Sequence, residues 1–135
     1  MHSKAVLTQG EVARMLAAAR SEAQNNAWAV AIAVVDDGGH PLALERLDGC
    51  APASAYIALE KARTAALGRR ESKSYEDMIN NGRTAFLSVP LLSATLEGGV
   101  PVVVDGQVVG AVGVSGVRAD QDAQVARAGI QGVAG

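Results

Sequence analysis

Two apolar runs, each closed by a tight-turn signal, limit what this chain can fold into. Ala29 to Val35 is short, apolar and rich in β-branched residues, and Asp36-Asp37-Gly38-Gly39 follows directly. That combination predicts a buried strand entering a turn. Pro41 to Leu47 returns alongside it, with Pro41 at the first strand position, where its missing N–H does least harm. The second run is Val100-Pro101-Val102-Val103-Val104, ahead of Asp105-Gly106. That dipeptide suits a two-residue hairpin turn because both central positions need positive φ. Gln107 to Ser115 is the returning strand. Two hairpins predict antiparallel pairing and argue against a parallel, dinucleotide-binding type of sheet.

Strand alternation gives the first run two unlike faces. Val30, Ile32 and Val34 point one way, and Ala29, Ala31 and Ala33 the other. The alanine face can admit a closely packed helix or a ligand.

The rest reads as helix and loop. Thr8-Gln9-Gly10-Glu11 is a capping box, and Val12, Met15, Leu16, Ala19 and Ala23 recur behind it at helical spacing. This first helix is expected to stop near Asn25-Asn26. A second helix is expected from about Ser54 to Leu67, with Gly68 as its C-terminal stop. Arg69 to Ser74 reads as an exposed polar link, and Ser74 as the N-cap of a short helix ending at Asn80-Asn81-Gly82. Residues 83–98 carry no clear period and predict a surface excursion. Asp120 is expected to cap a last helix whose inner face holds Val125, Ala126 and Ile130. The predicted order is helix, hairpin, two helices, hairpin, helix, an α+β architecture in one domain over residues 1–135.

Composition narrows the functional classes. The 135 residues are 49% hydrophobic and 19% charged, with a net charge of −2. No basic stripe interleaved with aromatics points to nucleic acid. No stretch approaches the roughly 18 uninterrupted apolar residues of a membrane span. Cys50 is the single cysteine, so neither an internal disulfide nor a multi-cysteine zinc site can form. With no secretion signal in the opening residues, the expectation is a cytoplasmic protein. One Phe, one Trp and two Tyr leave the core to small side chains, which predicts helices seated close to the sheet.

Four blocks together resemble the GlcG/HbpS family, which also occurs as the C-terminal half of some cobalamin adenosyltransferases. They are Val34-Val35-Asp36-Asp37-Gly38-Gly39-His40-Pro41-Leu42; Glu45-Arg46-Leu47-Asp48-Gly49, where the family more often has Met at the Leu47 position; Ser54 to Ala66; and Gly98-Gly99-Val100-Pro101 through Gly110 to Asp122. The resemblance spans about residues 30–130. It implies a profilin-like fold, a central antiparallel sheet flanked by helices, in a homo-oligomer. It also implies a tetrapyrrole ligand, with haem as cofactor and reductant-dependent haem degradation in some members.

Six residues stand out as candidates for a haem site. His40 could ligate the iron, because neutral imidazole is a common haem ligand; it could equally be a turn residue. Arg46 could hold a propionate through its forked donors, or pair locally with Asp48. Lys61 sits among Ala58, Ala62 and Ala65 on the second helix, where a lysine either snorkels to water or faces a pocket. Thr64, three residues on, could offer an oxygen or bond its own backbone. Gly99 and Pro101 belong to a glycine-rich strand entry where a helix or a flat ligand could approach closely. The expected site is a slot between the Gly98 to Pro101 segment and the Lys61 helix. The rival readings are a small-molecule isomerase, deaminase or hydrolase acting on a carboxylated metabolite, and a non-catalytic accessory or sensor module.

Overall fold

A computed structural model describes residues 1–134. In chain order the elements are α1 (Gln9–Asn25), β1 (Ala31–Asp36), β2 (Pro41–Arg46), α2 (Ala53–Gly68), α3 (Lys73–Asn80), a 3-10 turn (Thr84–Ser88), β3 (Gly99–Val104), β4 (Gln107–Ser115) and α4 (Ala119–Ala134). The four strands form one sheet in the order β2-β1-β4-β3, and every neighbouring pair is antiparallel. The predicted order and class are those observed.

The two faces of β1 sort the layers. Val30, Ile32 and Val34 join Val112 and Val114 of β4 under α1 and α4, where Met15, Ala19, Val125 and Ala126 close the larger core. Ala31, Ala33 and Ala111 meet Ala58, Ala62 and Ala65 of α2 on the other face. The absence of bulk there lets helix and sheet touch backbone to backbone. A Cβ on Gly113 would lie 2.1 Å from the Ala58 carbonyl oxygen, so only glycine fits that strand position.

Local signals explain the element ends. Both halves of the Thr8–Glu11 capping box form. Asp105 and Gly106 take φ of 51° and 75°, the double positive pair the tight hairpin needs. Two expectations are corrected. α2 runs through Gly68 and stops at Arg69, which itself takes the left-handed conformation with φ 58°. At α4, Asp120 does not cap; it pairs with Arg118, while Asp122 accepts from the Val117 N–H and Gln121 from the Arg118 N–H.

The link before α3 is also not the exposed segment expected. Ser72 is wholly buried. Ser72, not the expected Ser74, occupies the N-cap position of α3, but its hydroxyl accepts from the Gly99 N–H at 2.8 Å and donates to the Leu96 carbonyl, so it makes no side-chain cap bond. Ser72 therefore ties the start of α3 to the entry of β3. Residues 83–98 do run over the surface, held by this contact and by a bond from Thr64 to the Ser93 carbonyl.

Candidate functional site

The expected slot between the Gly98 to Pro101 segment and α2 is filled. A Cβ on Gly99 would lie 2.1 Å from the Lys61 carbonyl oxygen, and one on Gly98 2.8 Å from the Lys61 ammonium. Lys61 is 3% exposed and neither faces a pocket nor reaches water. Its Nζ donates to the Val114 carbonyl at 3.0 Å and to Asp122 Oδ2 at 3.1 Å. The lysine passes beneath Gly98 and joins α2 to the first turn of α4 across the end of the sheet. Burial pushes the Asp122 carboxyl above its ordinary range, and the Lys61 charge pulls against that shift. Asp122 lies 61 residues from Lys61 in the chain, too far for any local pattern to reveal.

Thr64 is buried and donates to the Ser93 carbonyl rather than to its own backbone. Gly99 is pinned by Ser72, and Pro101 lies opposite Ala111 on the edge strand β3. These four sequence candidates are thus parts of the packed side of the sheet.

His40 stands apart from them, at the turn joining β1 and β2. Its side chain is 78% exposed. Asp36, four residues back, folds the turn around itself: Oδ1 accepts from the Gly38 N–H at 2.9 Å, from the His40 N–H at 2.9 Å, and lies 3.0 Å from His40 Nδ1. With Asp36 ionised, the tautomer satisfying both groups carries its proton on Nδ1. The Nε2 lone pair is then left pointing away from the carboxylate. A histidine held at one nitrogen by a carboxylate and open at the other is the arrangement protein metal ligands adopt. The signal was present in the sequence as an Asp four residues before the His across a Gly-Gly turn.

Cations brace the same turn. Arg63 donates to the Gly39 carbonyl at 3.4 Å, and Arg69 to the Asp37 carbonyl. The Asp37 carboxylate bonds Lys4, and that hydrogen bond, with Lys4 and Arg69 nearby, holds it below its usual range. Beside the turn, Leu42 and Leu44 of β2 are 44% and 47% exposed. Leu44 lies opposite Ala33 on the face that α2 covers further in, so the β2 margin of that face is bare.

Arg46 lies at the far end of β2, roughly 20 Å from His40 at about 3.3 Å per residue. The local Arg46–Asp48 pair considered from the sequence does not form: neither side chain has an ion-pair partner among the described residues. Both line a cleft of about 480 Å³ with Trp28, Gln24, Arg20 and Glu45. Among the described residues no three His, Cys, Asp or Glu side chains group to hold a bare metal ion. No helix there is long and apolar enough to cross a membrane.

A family model described as "haem degrading protein HbpS-like" matches residues 7–131. The chain belongs to the HbpS-like family. Protein GlcG of Escherichia coli K12 is 65% identical over 115 residues, covering 85% of each chain. Among solved structures, a double mutant of HbpS from Streptomyces reticuli superposes with a TM-score of 0.89 at 30% identity, covering 98% of this chain and 90% of that one. Protein ORFY of Klebsiella pneumoniae superposes with a TM-score of 0.90 at 29% identity, covering 98% and 93%. The HbpS-like fold expected from the four sequence blocks is therefore the fold of this chain.

Proposed function

We propose that this HbpS-like chain binds haem through His40. The observation that carries the reading is the Asp36–His40 pair. It supplies an imidazole fixed at Nδ1 and open at Nε2, on the surface of a chain whose family is described as haem degrading. Such an imidazole is the usual protein ligand to haem iron. Leu42 and Leu44 offer the macrocycle an apolar resting surface next to the ligand. Arg69, half exposed and 3.8 Å from the Asp37 carboxylate, is the cation at hand for a propionate. Lys61, Thr64 and Gly99 are left out of this site because the fold uses them inside, and Pro101 because it lies on the edge strand β3, at the opposite margin of the sheet from β2.

Haem, when bound, supplies the redox chemistry; the residues named here hold and orient it. His40 would hold the group on a turn that solvent reaches, and slow reductant-dependent breakdown is the chemistry that the family's description suggests for it.

Haemin titration with absorbance read in the Soret region tests the proposal. The expected result is a saturable shift, lost in His40→Ala and weakened in Asp36→Asn. A shift of unchanged size and midpoint in folded His40→Ala overturns the assignment. Adding ascorbate in air to the loaded protein then reads degradation as a decay of the same band.

A further inference from the structure

The cleft at the opposite end of the hairpin is built from parts that the haem reading does not use. Its volume, about 480 Å³, falls within the roughly 300–1,000 Å³ of small-molecule sites. Trp28, the chain's only tryptophan, is half-buried against the valine core and forms part of the cleft wall. It is held there by the way α1 ends. The Trp28 N–H donates to the Ala23 carbonyl at 2.8 Å and the Ala27 N–H to the Gln24 carbonyl at 3.1 Å. This closure forces Ala27, also in the wall, to a φ of 57°. That left-handed residue is an ordinary helix stop, the same one Arg69 makes at the end of α2, and it fixes where the Trp28 backbone leaves the helix.

The charges of the cleft are unequal in their freedom. Arg20 grips Glu45 with two parallel bonds of 2.5 and 2.8 Å, so both are spent on each other. That bond holds the Glu45 carboxyl below its usual range. Arg46 and Asp48 remain, one charge of each sign, two residues apart, with no ion-pair partner among the described residues. The C-terminal end of α1 borders the same space at Gln24 and Ala27, and the negative end of a helix dipole favours a cation. A simple anion would meet that end and Asp48 unfavourably. A zwitterion answers both signs at once.

We propose that this cleft binds a free α-amino acid with an apolar or aromatic side chain. Arg46 takes the carboxylate through its fork, Asp48 takes the ammonium, and the side chain lies against Trp28. The proposal is independent of haem, because no residue is shared with the His40 turn.

Trp28 fluorescence, with calorimetry as a second readout, tests it on the full chain without haemin. The probes are L-phenylalanine, 3-phenylpropionate, which lacks the ammonium, and 2-phenylethylamine, which lacks the carboxylate. L-phenylalanine is expected to give a saturable response, and each truncated probe to bind at least about tenfold more weakly. Arg46→Gln is expected to weaken L-phenylalanine and 3-phenylpropionate while sparing 2-phenylethylamine, and Asp48→Asn to do the converse. Both side chains are exposed, so neither change threatens folding. No saturable response to L-phenylalanine by either readout, or equal binding by wild type and Arg46→Gln, overturns the proposal. His40→Ala leaves this response intact while abolishing the haemin shift, so the two site assignments fail separately.

Discussion

Lys61 and Asp122 form an ion pair inside the protein, Nζ to Oδ2 at 3.1 Å, with side chains 3% and 4% exposed. The pair crosses the end of the sheet and ties together helices that pack on its two opposite faces. Each charge has a second partner: the Val114 carbonyl for the lysine and the Val117 N–H for the aspartate. A buried pair so satisfied adds little beyond an apolar replacement of similar shape, but removing one member strands the other.

Lys61→Ala and Asp122→Ala are each expected to lower unfolding free energy by about 3–5 kcal/mol. The double variant Lys61→Met/Asp122→Leu is expected to recover most of that loss. Urea denaturation of the three variants checks this; single variants as stable as wild type would show that the pair is not closed in solution.

Acidity gives a second reading of the same contact. Burial raises the folded pKa of Asp122 above its ordinary value of 3.8. As pH falls, the folded chain therefore takes up this proton before the unfolded chain does. The residue's contribution to stability rises on acidification through that window and declines again as pH climbs out of it. Asp122→Asn cannot titrate and is expected to flatten the pH dependence on the side above 3.8, while lowering stability throughout. Unfolding curves collected across that range check the sign.

The alanine layer predicts intolerance of a single methyl group. Gly113→Ala places a Cβ against the Ala58 carbonyl, and α2 must lift to admit it. Overpacking of this kind costs about 1–3 kcal/mol. Gly82→Ala, where an added Cβ meets open space but φ is 109°, separates backbone strain from crowding. Thermal midpoints of both variants, compared with wild type, make the distinction.

Thr64 anchors the long surface excursion through the Ser93 carbonyl. Thr64→Val keeps the side-chain shape and deletes the bond, at about 0.5–1.5 kcal/mol. Limited proteolysis is expected to cut faster within residues 83–98, with the core fragments otherwise unchanged. Equal cleavage rates would mean that the Ser93–Glu60, Glu97–Glu76 and Ser72 contacts hold the segment without Thr64.

The parts of the fold legible in the sequence are those written in local chemistry. Asp105-Gly106 announced its turn, Thr8 and Glu11 their cap, and the alternating Val and Ala of β1 the two unlike layers. Ser72 was misread because a serine between charged residues looks exposed; its partners, Leu96 and Gly99, lie more than twenty positions away. A longer separation, 61 residues, hid Asp122 from Lys61. A lysine on an alanine-rich helix face signals burial correctly, but the sequence cannot say whether the partner is a ligand or another side chain. His40 was visible as a candidate, whereas its orientation by Asp36 emerged only once the turn had closed. Arg46 was also visible; Trp28, set beside it by the ending of α1, was not.

The seating of α2 on Gly113 and Gly99 has one more consequence. With carbonyls already against the strands, that side of the molecule has no interior room to trade. New binding capacity cannot arise there by enlarging a hollow one side chain at a time. It must grow outward from the rim, at the turns and strand ends, where a substitution alters what is displayed without disturbing how the layers meet.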